Sequence, residues 1–323
     1  MNARIFWKLG APLLAAATLG THAHADTFPS QAIRIIVPYA AGGGSDITSR
    51  VIQNRLGELL KQPLVIDNRA GGGTLIGTRA VQIAPPDGYT VGVMDPAFLT
   101  NPSLMPDAKY DPLKDFTPIS LISVTPMILA VTNAYPAKDL KEMVGYAKAH
   151  PGKLNYGSPG SGSAGQLAIE QFRTSFGLTG THIPYKGSGP AGSAIVGGEI
   201  DALMSGSALI PLIQGGRIRG IAVTGSKRLP SLPDVPTFAE LGYPKINVQT
   251  YTALVAPAGT PQAVVQTLQS AVAQTVKSPD MQKALEDRGQ VAVGSTPEEL
   301  AKFFRDNHTS LVKVVHDANI KME

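Results

Sequence analysis

The feature that most constrains this chain is a repeated unit: a short β-branched strand, a glycine-rich loop, then an amphipathic helix. Ile33-Arg34-Ile35-Ile36-Val37 is an apolar run ended by Pro38. Ser45 to Leu60 has helical spacing, with Ile47, Val51, Leu56, Leu59 and Leu60 apolar. Leu64-Val65-Ile66 reads as a second strand and Thr78 to Ala84 as a short helix. Tyr89 to Met94 reads as a third strand, after the turn Pro85-Pro86-Asp87-Gly88. A βαβαβ order of this kind predicts a parallel sheet with right-handed crossovers.

The pattern then breaks and resumes. Asp95 to Phe116 is Pro-rich without clear periodicity, and Ile119 to Val131 is almost wholly apolar. That apolar stretch reads as a crossover strand pair carrying the chain into a second lobe. There Lys138 to Ala149, Gln166 to Phe176 and Ala191 to Val196 read as helices. Leu154 to Tyr156, Thr181 to Pro184, Asp201 to Met204 and Ile218 to Thr224 read as strands. Arg228 to Pro236 is a Pro-rich loop, and Tyr251 to Ala256 reads as the return crossover. The tail is helical over Pro261 to Val276, Pro279 to Arg288 and Pro297 to Val315, with Pro at each start, where its fixed φ costs no hydrogen bond. The organisation expected is lobe 1 over residues 26–124 with 252–323 returning to it, and lobe 2 over 125–251. Two sheets joined by two crossings leave a cleft between them, where ligands of α/β proteins sit.

The ends and the composition narrow the class. Residues 1–25 read as a cleavable secretory signal: Arg4 and Lys8 give a basic start, Leu9 to Leu19 is apolar, and Ala23-His24-Ala25 is a small-x-small cleavage box. The apolar run is about half the ~20 residues that a membrane span requires. Removing these residues takes two of the 28 basic side chains and none of the 24 acidic ones, leaving a net charge of +2. With no Lys/Arg run of five or more, nucleic acid is not an expected partner. The chain has no cysteine, which excludes disulfides, thiolate metal sites and a Cys nucleophile.

The loops carry the chemistry. In Val37-Pro38-Tyr39-Ala40-Ala41-Gly42-Gly43-Gly44-Ser45-Asp46, three glycines join a strand to a helix. The helix start presents unpaired N–H groups and the positive end of its dipole, which binds anions without Arg or Lys. The simpler reading is a turn with Ser45 as N-cap. Asp46 reads most simply as a first-turn acid favouring the helix dipole. A second loop, Asn68-Arg69-Ala70-Gly71-Gly72-Gly73-Thr74, ends on the same edge of the sheet. A third, Tyr156-Gly157-Ser158-Pro159-Gly160-Ser161-Gly162-Ser163-Ala164-Gly165-Gln166, contains Gly160-x-Gly162-x-x-Gly165 and formally matches a dinucleotide fingerprint. No Asp or Glu follows the next strand to hold a ribose, and the same spacing recurs at Gly187-x-Gly189-x-x-Gly192. The hydroxyls of Ser158, Ser161 and Ser163 suit an anion better.

Enzyme motifs are missing: there is no G-x-S-x-G elbow, no phosphate loop of the G-x-x-x-x-G-K-[ST] type and no H-E-x-x-H. His150, His308 and His316 read as solvated or capping residues, and His182 as a satisfied strand histidine.

Taken together, these loops resemble those of the Bug receptors, the extracytoplasmic solute-binding proteins of tripartite tricarboxylate transporters. The resemblance rests on Ile35-Ile36-Val37-Pro38-Tyr39 with Gly43-Gly44-Ser45-Asp46, on Asp67 to Gly77, and on Pro86-Asp87-Gly88-Tyr89-Thr90. It continues through Tyr156-Gly157-Ser158, Ile183-Pro184-Tyr185-Lys186-Gly187, Gly197-Gly198-Glu199-Ile200-Asp201, Pro233 to Thr237 and Ala256 to Pro261. It implies a type II periplasmic-binding-protein (Venus flytrap) fold of two α/β lobes with two crossover strands, closing on a small carboxylate. Carried over by position, Tyr39, Gly43, Gly44, Ser45 and Asp46 of the first loop and Ser158, Ser161, Gly162 and Ser163 of the third hold the ligand, with Gly72, Thr74 and Asp201 as second contributors. One departure is that the family often has Trp in the return crossover, where this chain has Tyr251; its single Trp is Trp7. The expectation is a monomeric periplasmic receptor without metal, cofactor or catalytic activity. It would deliver its ligand to permease subunits or, alternatively, present it to a membrane sensor. An exported enzyme acting in the cleft is the remaining alternative.

Overall fold

In the computed structural model, residues 28–185 and 187–320 are described. The expected export signal, residues 1–25, and Lys186 lie outside them. The first lobe opens with β1 (Ile33–Val37), α1 (Gly44–Leu60), β2 (Leu64–Asn68), α2 (Leu75–Gln82), β3 (Thr90–Met94) and α3 (Pro96–Leu104). Strand β4 (Phe116–Pro126) leads into β5 (Ile128–Thr132), and the second lobe continues with α4 (Leu140–Ala149), β6 (Leu154–Ser158), α5 (Ala164–Phe176), β7 (Gly180–Pro184) and α6 (Ser188–Gly197). Next come β8 (Ala202–Ser205), α7 (Ile210–Gln214) and β9 (Ile218–Val223). Strand β10 (Gln249–Pro257) returns the chain to the first sheet, followed by α8 (Gln262–Lys277), α9 (Pro279–Glu286), β11 (Val291–Ala292) and α10 (Pro297–Asp317).

Strand order fixes the geometry of the cleft. One sheet runs β11-β4-β10-β3-β1-β2 and the other β7-β6-β8-β5-β9. Strands β1, β2 and β3 are parallel, as the βαβαβ reading expects, but β10 runs antiparallel to both β3 and β4. In the second sheet β6, β7 and β8 are parallel and β5 is antiparallel to β8 and β9. Each sheet is therefore mixed, and the reversed central strand is the one that has just arrived from the other lobe. Ile128 at the start of β5 pairs with Ser205 at the end of β8, and Gln249 at the start of β10 pairs with Pro126 at the end of β4. The carboxyl ends of the forward strands in both sheets consequently lie on the two edges that face each other.

The lobes are not separate cores. One cluster of buried side chains runs from Phe98, Phe116, Leu300 and Phe304 of the first lobe to Leu167, Phe172 and Phe238 of the second. A second cluster sits between the first sheet and α1 and α8, and a third under α6 in the second lobe. Helix α3 lies in the stretch expected to be irregular. Its Phe98, Leu99, Thr100 and Asn101 are all buried, so no polar face marks it as a helix, and Asp95 caps it by accepting from the Ala97 N–H at 3.0 Å. Helix α2 starts three residues earlier than Thr78, because Gly71, Gly72, Gly73 and Thr74 all take positive φ and the helix follows at once. Among the described residues no helix is long and apolar enough to cross a membrane, and no group of three His, Cys, Asp or Glu is placed to hold a metal.

Candidate ligand-binding site

The glycine-rich loops after β1 and β6 have the same local construction. In each, a glycine with positive φ (Gly42, 85°; Gly162, 73°) immediately precedes the helix N-cap. Its N–H donates to the side chain four residues on, Gly42 to Asp46 Oδ2 at 2.8 Å and Gly162 to Gln166 Oε1 at 2.7 Å. That side chain folds back over the loop and holds it against the start of the helix. At α1 the Gly43 N–H is taken by Ala40 and the Ile47 N–H by Gly43, while those of Gly44, Ser45 and Asp46 have no partner among the described residues. At α5, Ser163 caps the Gln166 N–H at 3.2 Å, and the N–H groups of Ala164 and Gly165 are free in the same sense. Unpaired donors at the positive end of a helix dipole form an anion site. Here there is one on each facing edge.

Two glycines set these positions by close approach. A Cβ at Gly165 would lie 2.5 Å from the Met204 carbonyl oxygen, so only glycine lets α5 pack this tightly on β8. That packing role accounts for the third glycine of the formal dinucleotide pattern. A Cβ at Gly77 would lie 2.7 Å from Pro38, so α2 buttresses the first loop from behind.

A cavity of 170 Å³ opens on the cleft side of the first lobe, lined by Tyr39, Gly44, Ser45, Asp95, Thr125, Thr250, Tyr251, Thr252 and Gln290. Three of the residues expected from sequence, Tyr39, Gly44 and Ser45, line it. Reasoning from sequence missed Asp95, at the end of β3 inside the stretch read as irregular. It also missed Gln290, which the Thr48 side chain holds at 2.8 Å. The only sequence sign for Asp95 was its place immediately after a strand and before Pro96. Tyr39 donates its hydroxyl to Asp95 Oδ2. Burial pushes the Asp95 carboxyl up to about 6, partly offset by the Tyr39 bond and the amides of α3. Burial likewise raises the Tyr39 and Tyr251 hydroxyls, with Asp95 nearby adding to both.

Several expected contacts are spent elsewhere. Asp46 is 2% exposed and is committed to Gly42, to Arg50 at 3.0 Å and to Asn68 Nδ2 at 3.0 Å, so it braces the loop from within. Burial alone pushes its carboxyl up, but these bonds outweigh burial and hold it below the usual range. Ser158 is fully buried, donating to the Gly160 carbonyl at 3.1 Å and bonded to His182 Nε2 at 2.8 Å. Thr74 is buried and accepts from Asn101 at 3.0 Å. Gly72 lies in the 3-10 turn just before α2 and does not line the cavity. In the third loop, Ser161 remains half-buried, its hydroxyl without a partner among the described residues, beside Gly162 and Ser163.

Asp201 is the clear correction. It sits before β8, at the end whose neighbours are Val131 and Thr132, and Oδ2 accepts from the Asn155 N–H at 2.8 Å. That is the edge of the second sheet turned away from the cleft, because β8 runs toward the cleft and Asp201 precedes it. A hollow of 240 Å³ lies there, between Tyr135, Lys153 and Asp201. A larger one of 510 Å³ lies between α8 and the start of α10. Neither meets the carboxyl ends of the forward strands.

Comparison with known proteins agrees with this architecture. The family described as tripartite tricarboxylate transporter family receptor matches residues 48–320. The structure of the periplasmic binding protein BugD is 30% identical with a TM-score of 0.78, covering 92% of this chain and 100% of BugD. Rpa4515 of R. palustris, solved with adipate, is 33% identical with a TM-score of 0.80, covering 91% of this chain and 99% of that one. MatC (Rpa3494) from Rhodopseudomonas palustris, solved with bound malate, is 31% identical with a TM-score of 0.77, covering 89% and 100%. The sheet order, the paired glycine loops and these matches agree: the chain belongs to the tripartite tricarboxylate transporter receptor family, to which its loop motifs point.

Proposed function

We propose that this chain is a periplasmic receptor that captures a small carboxylate between its two lobes and delivers it to the permease subunits of a tripartite tricarboxylate-type transporter. The observation that carries this reading is the set of unpaired first-turn N–H groups at Gly44, Ser45 and Asp46, matched across the cleft by those of Ala164 and Gly165. A carboxylate in contact with both sets bridges the lobes and favours the closed form by its differential affinity for it. Tyr39 and Ser45 then wall the first-lobe side, and Ser161 with Gly162 the second. Asp46 and Ser158 act from behind by keeping their loops in shape. The crossings at β4–β5 and between β9 and β10 serve as hinges. Residues 1–25 act as the export signal, and the protein works as a monomer that performs no chemistry on its ligand. The adipate and malate held by two relatives support a carboxylate as the ligand class.

The test is a thermal-shift series on the mature chain with di- and tricarboxylates, aromatic acids and nucleotides. A ligand at 100 times its Kd stabilises the native state by about 2.7 kcal/mol. A carboxylate that raises the midpoint in the parent protein and not in Gly44→Phe supports the reading. Stabilisation by nucleotides alone contradicts it.

A further inference from the structure

The cavity lining holds groups of opposite chemistry. Gly44 and Ser45, whose N–H groups have no partner among the described residues, line it. So does Asp95, an acceptor. A carboxylate offers about four lone-pair sites. Asp95 uses Oδ2 for the Tyr39 hydroxyl and Oδ1 for the Ala97 N–H. No Lys, Arg or His pairs with it among the described residues: the titratable groups around it are Tyr39, Tyr110 and Tyr251, all of which burial keeps protonated. It is therefore a cleft carboxylate without a counter-ion. Tyr251 lines the same cavity, and its hydroxyl is buried with no hydrogen-bond partner among the described residues. Buried polar atoms without partners are uncommon in native structures, and one on a residue that lines a cavity is a candidate contact for whatever fills it.

Resting on the carboxylate-receptor reading above, we propose that Asp95 and Tyr251 form a subsite for a protonated amine, so that this chain selects amino-carboxylates over the corresponding plain carboxylic acids. The ligand carboxylate lies at the Gly44–Ser45 amides and its ammonium group at Asp95. The three N–H donors of the ammonium reach the remaining lone pairs of Asp95 and the oxygen of Tyr251. A plain dicarboxylate entering the same cavity brings a second negative charge toward an uncompensated carboxylate, and like charges repel. Discrimination against the analogue lacking the polar group is large where the site's buried polar atoms are left unpaired. Nothing in the composition signalled this, because Asp95 looks like any residue of a Pro-rich linker.

The experiment is calorimetric titration of the mature chain at pH 8 with matched probes: propanoate and alanine, succinate and aspartate, glutarate and glutamate, with malate as the hydroxyl control. The expected result is at least one pair in which the amino member binds roughly tenfold or more tighter than its partner, with Asp95→Asn erasing that preference and Tyr251→Phe reducing it. Malate should fall near succinate, because a hydroxyl carries no charge. The proposal is overturned if the plain acids bind as tightly as the amino acids, if the preference survives in Asp95→Asn, or if malate matches aspartate. The receptor reading stands in those cases provided that Gly44→Phe abolishes binding. If no acid binds, with or without an amine, both readings fall together. Unaltered circular dichroism of Asp95→Asn shows that a lost preference is not lost folding.

Discussion

Replacing Asp95 by Asn in the ligand-free protein changes stability in a way that depends on pH with a definite sign. Burial raises the folded-state pKa of Asp95 from an ordinary value of 3.8 to about 6. The folded protein thus holds this proton more tightly than the unfolded chain does. Below 3.8 the carboxyl is neutral in both states and carries no penalty. As pH rises toward 6 the unfolded chain ionises freely while the folded chain resists, so wild-type stability falls, and above 6 the loss is complete. A shift of about 2 units corresponds to about 3 kcal/mol. Asn cannot ionise and retains an oxygen to cap the Ala97 N–H, while its Nδ2 amide takes the place of Oδ2 and donates to the Tyr39 hydroxyl oxygen, which can accept. The variant should match wild type near pH 4 and exceed it by up to about 3 kcal/mol at pH 7.5. In a chain of this size that is roughly 6 °C in midpoint. Thermal melts followed by circular dichroism at pH 4, 5, 6 and 7.5 measure it. A difference that is constant with pH, or greatest at pH 4, refutes an unpaired buried carboxylate at the cleft.

Other perturbations separate bracing from binding. Asp46→Ala removes the acceptor for the Gly42, Asn68 and Arg50 donors and should cost about 2–3 kcal/mol at pH 7. Because its folded-state pKa is lowered, the charge-dependent part of that contribution is present above the ordinary Asp value and is lost as pH falls through the lowered one, so the gap between urea melts of parent and variant should narrow in acid. A Cβ at Gly44 meets nothing within 4 Å, so Gly44→Phe should leave the ligand-free midpoint within about 1 kcal/mol while removing carboxylate-induced stabilisation. Gly165→Ala drives a methyl into the Met204 carbonyl and should destabilise by about 1–3 kcal/mol with or without ligand. Equal effects of Gly44→Ala and Gly165→Ala on the ligand-free melt would contradict the contrast between an open and a packed glycine.

Much of the fold was legible because the strands are uninterrupted β-branched runs and the helices amphipathic. Ile33 to Val37 and the helix from Ser45 show both signals clearly. Direction was not legible: Tyr251 to Ala256 reads as a strand, yet nothing local tells that β10 runs against β3. Helix α3 stayed hidden because burial on all sides erases the polar stripe that periodicity detects. At the site, the glycine loops were visible because positive φ and close approach demand glycine. The roles inside them were not: Asp46 and Ser158 have the right chemistry for a ligand, but the backbone turns them inward to satisfy their own loops. Asp201 shows the same limit at longer range, since the edge of a sheet on which a residue falls depends on strand direction.

The central claim is that a carboxylate is held by helix-start amides of both lobes. Amide chemical-shift mapping of the chain from residue 26 onward during titration with the carboxylate that stabilises it tests this most directly. The account predicts that Gly44, Ser45, Ala164 and Gly165 shift together with one Kd, and that Asp201 and Lys153 at the far edge of the second lobe stay unmoved. A saturable titration in which the Gly44 and Ser45 amides do not move, while those around Tyr135 and Asp201 do, would contradict it.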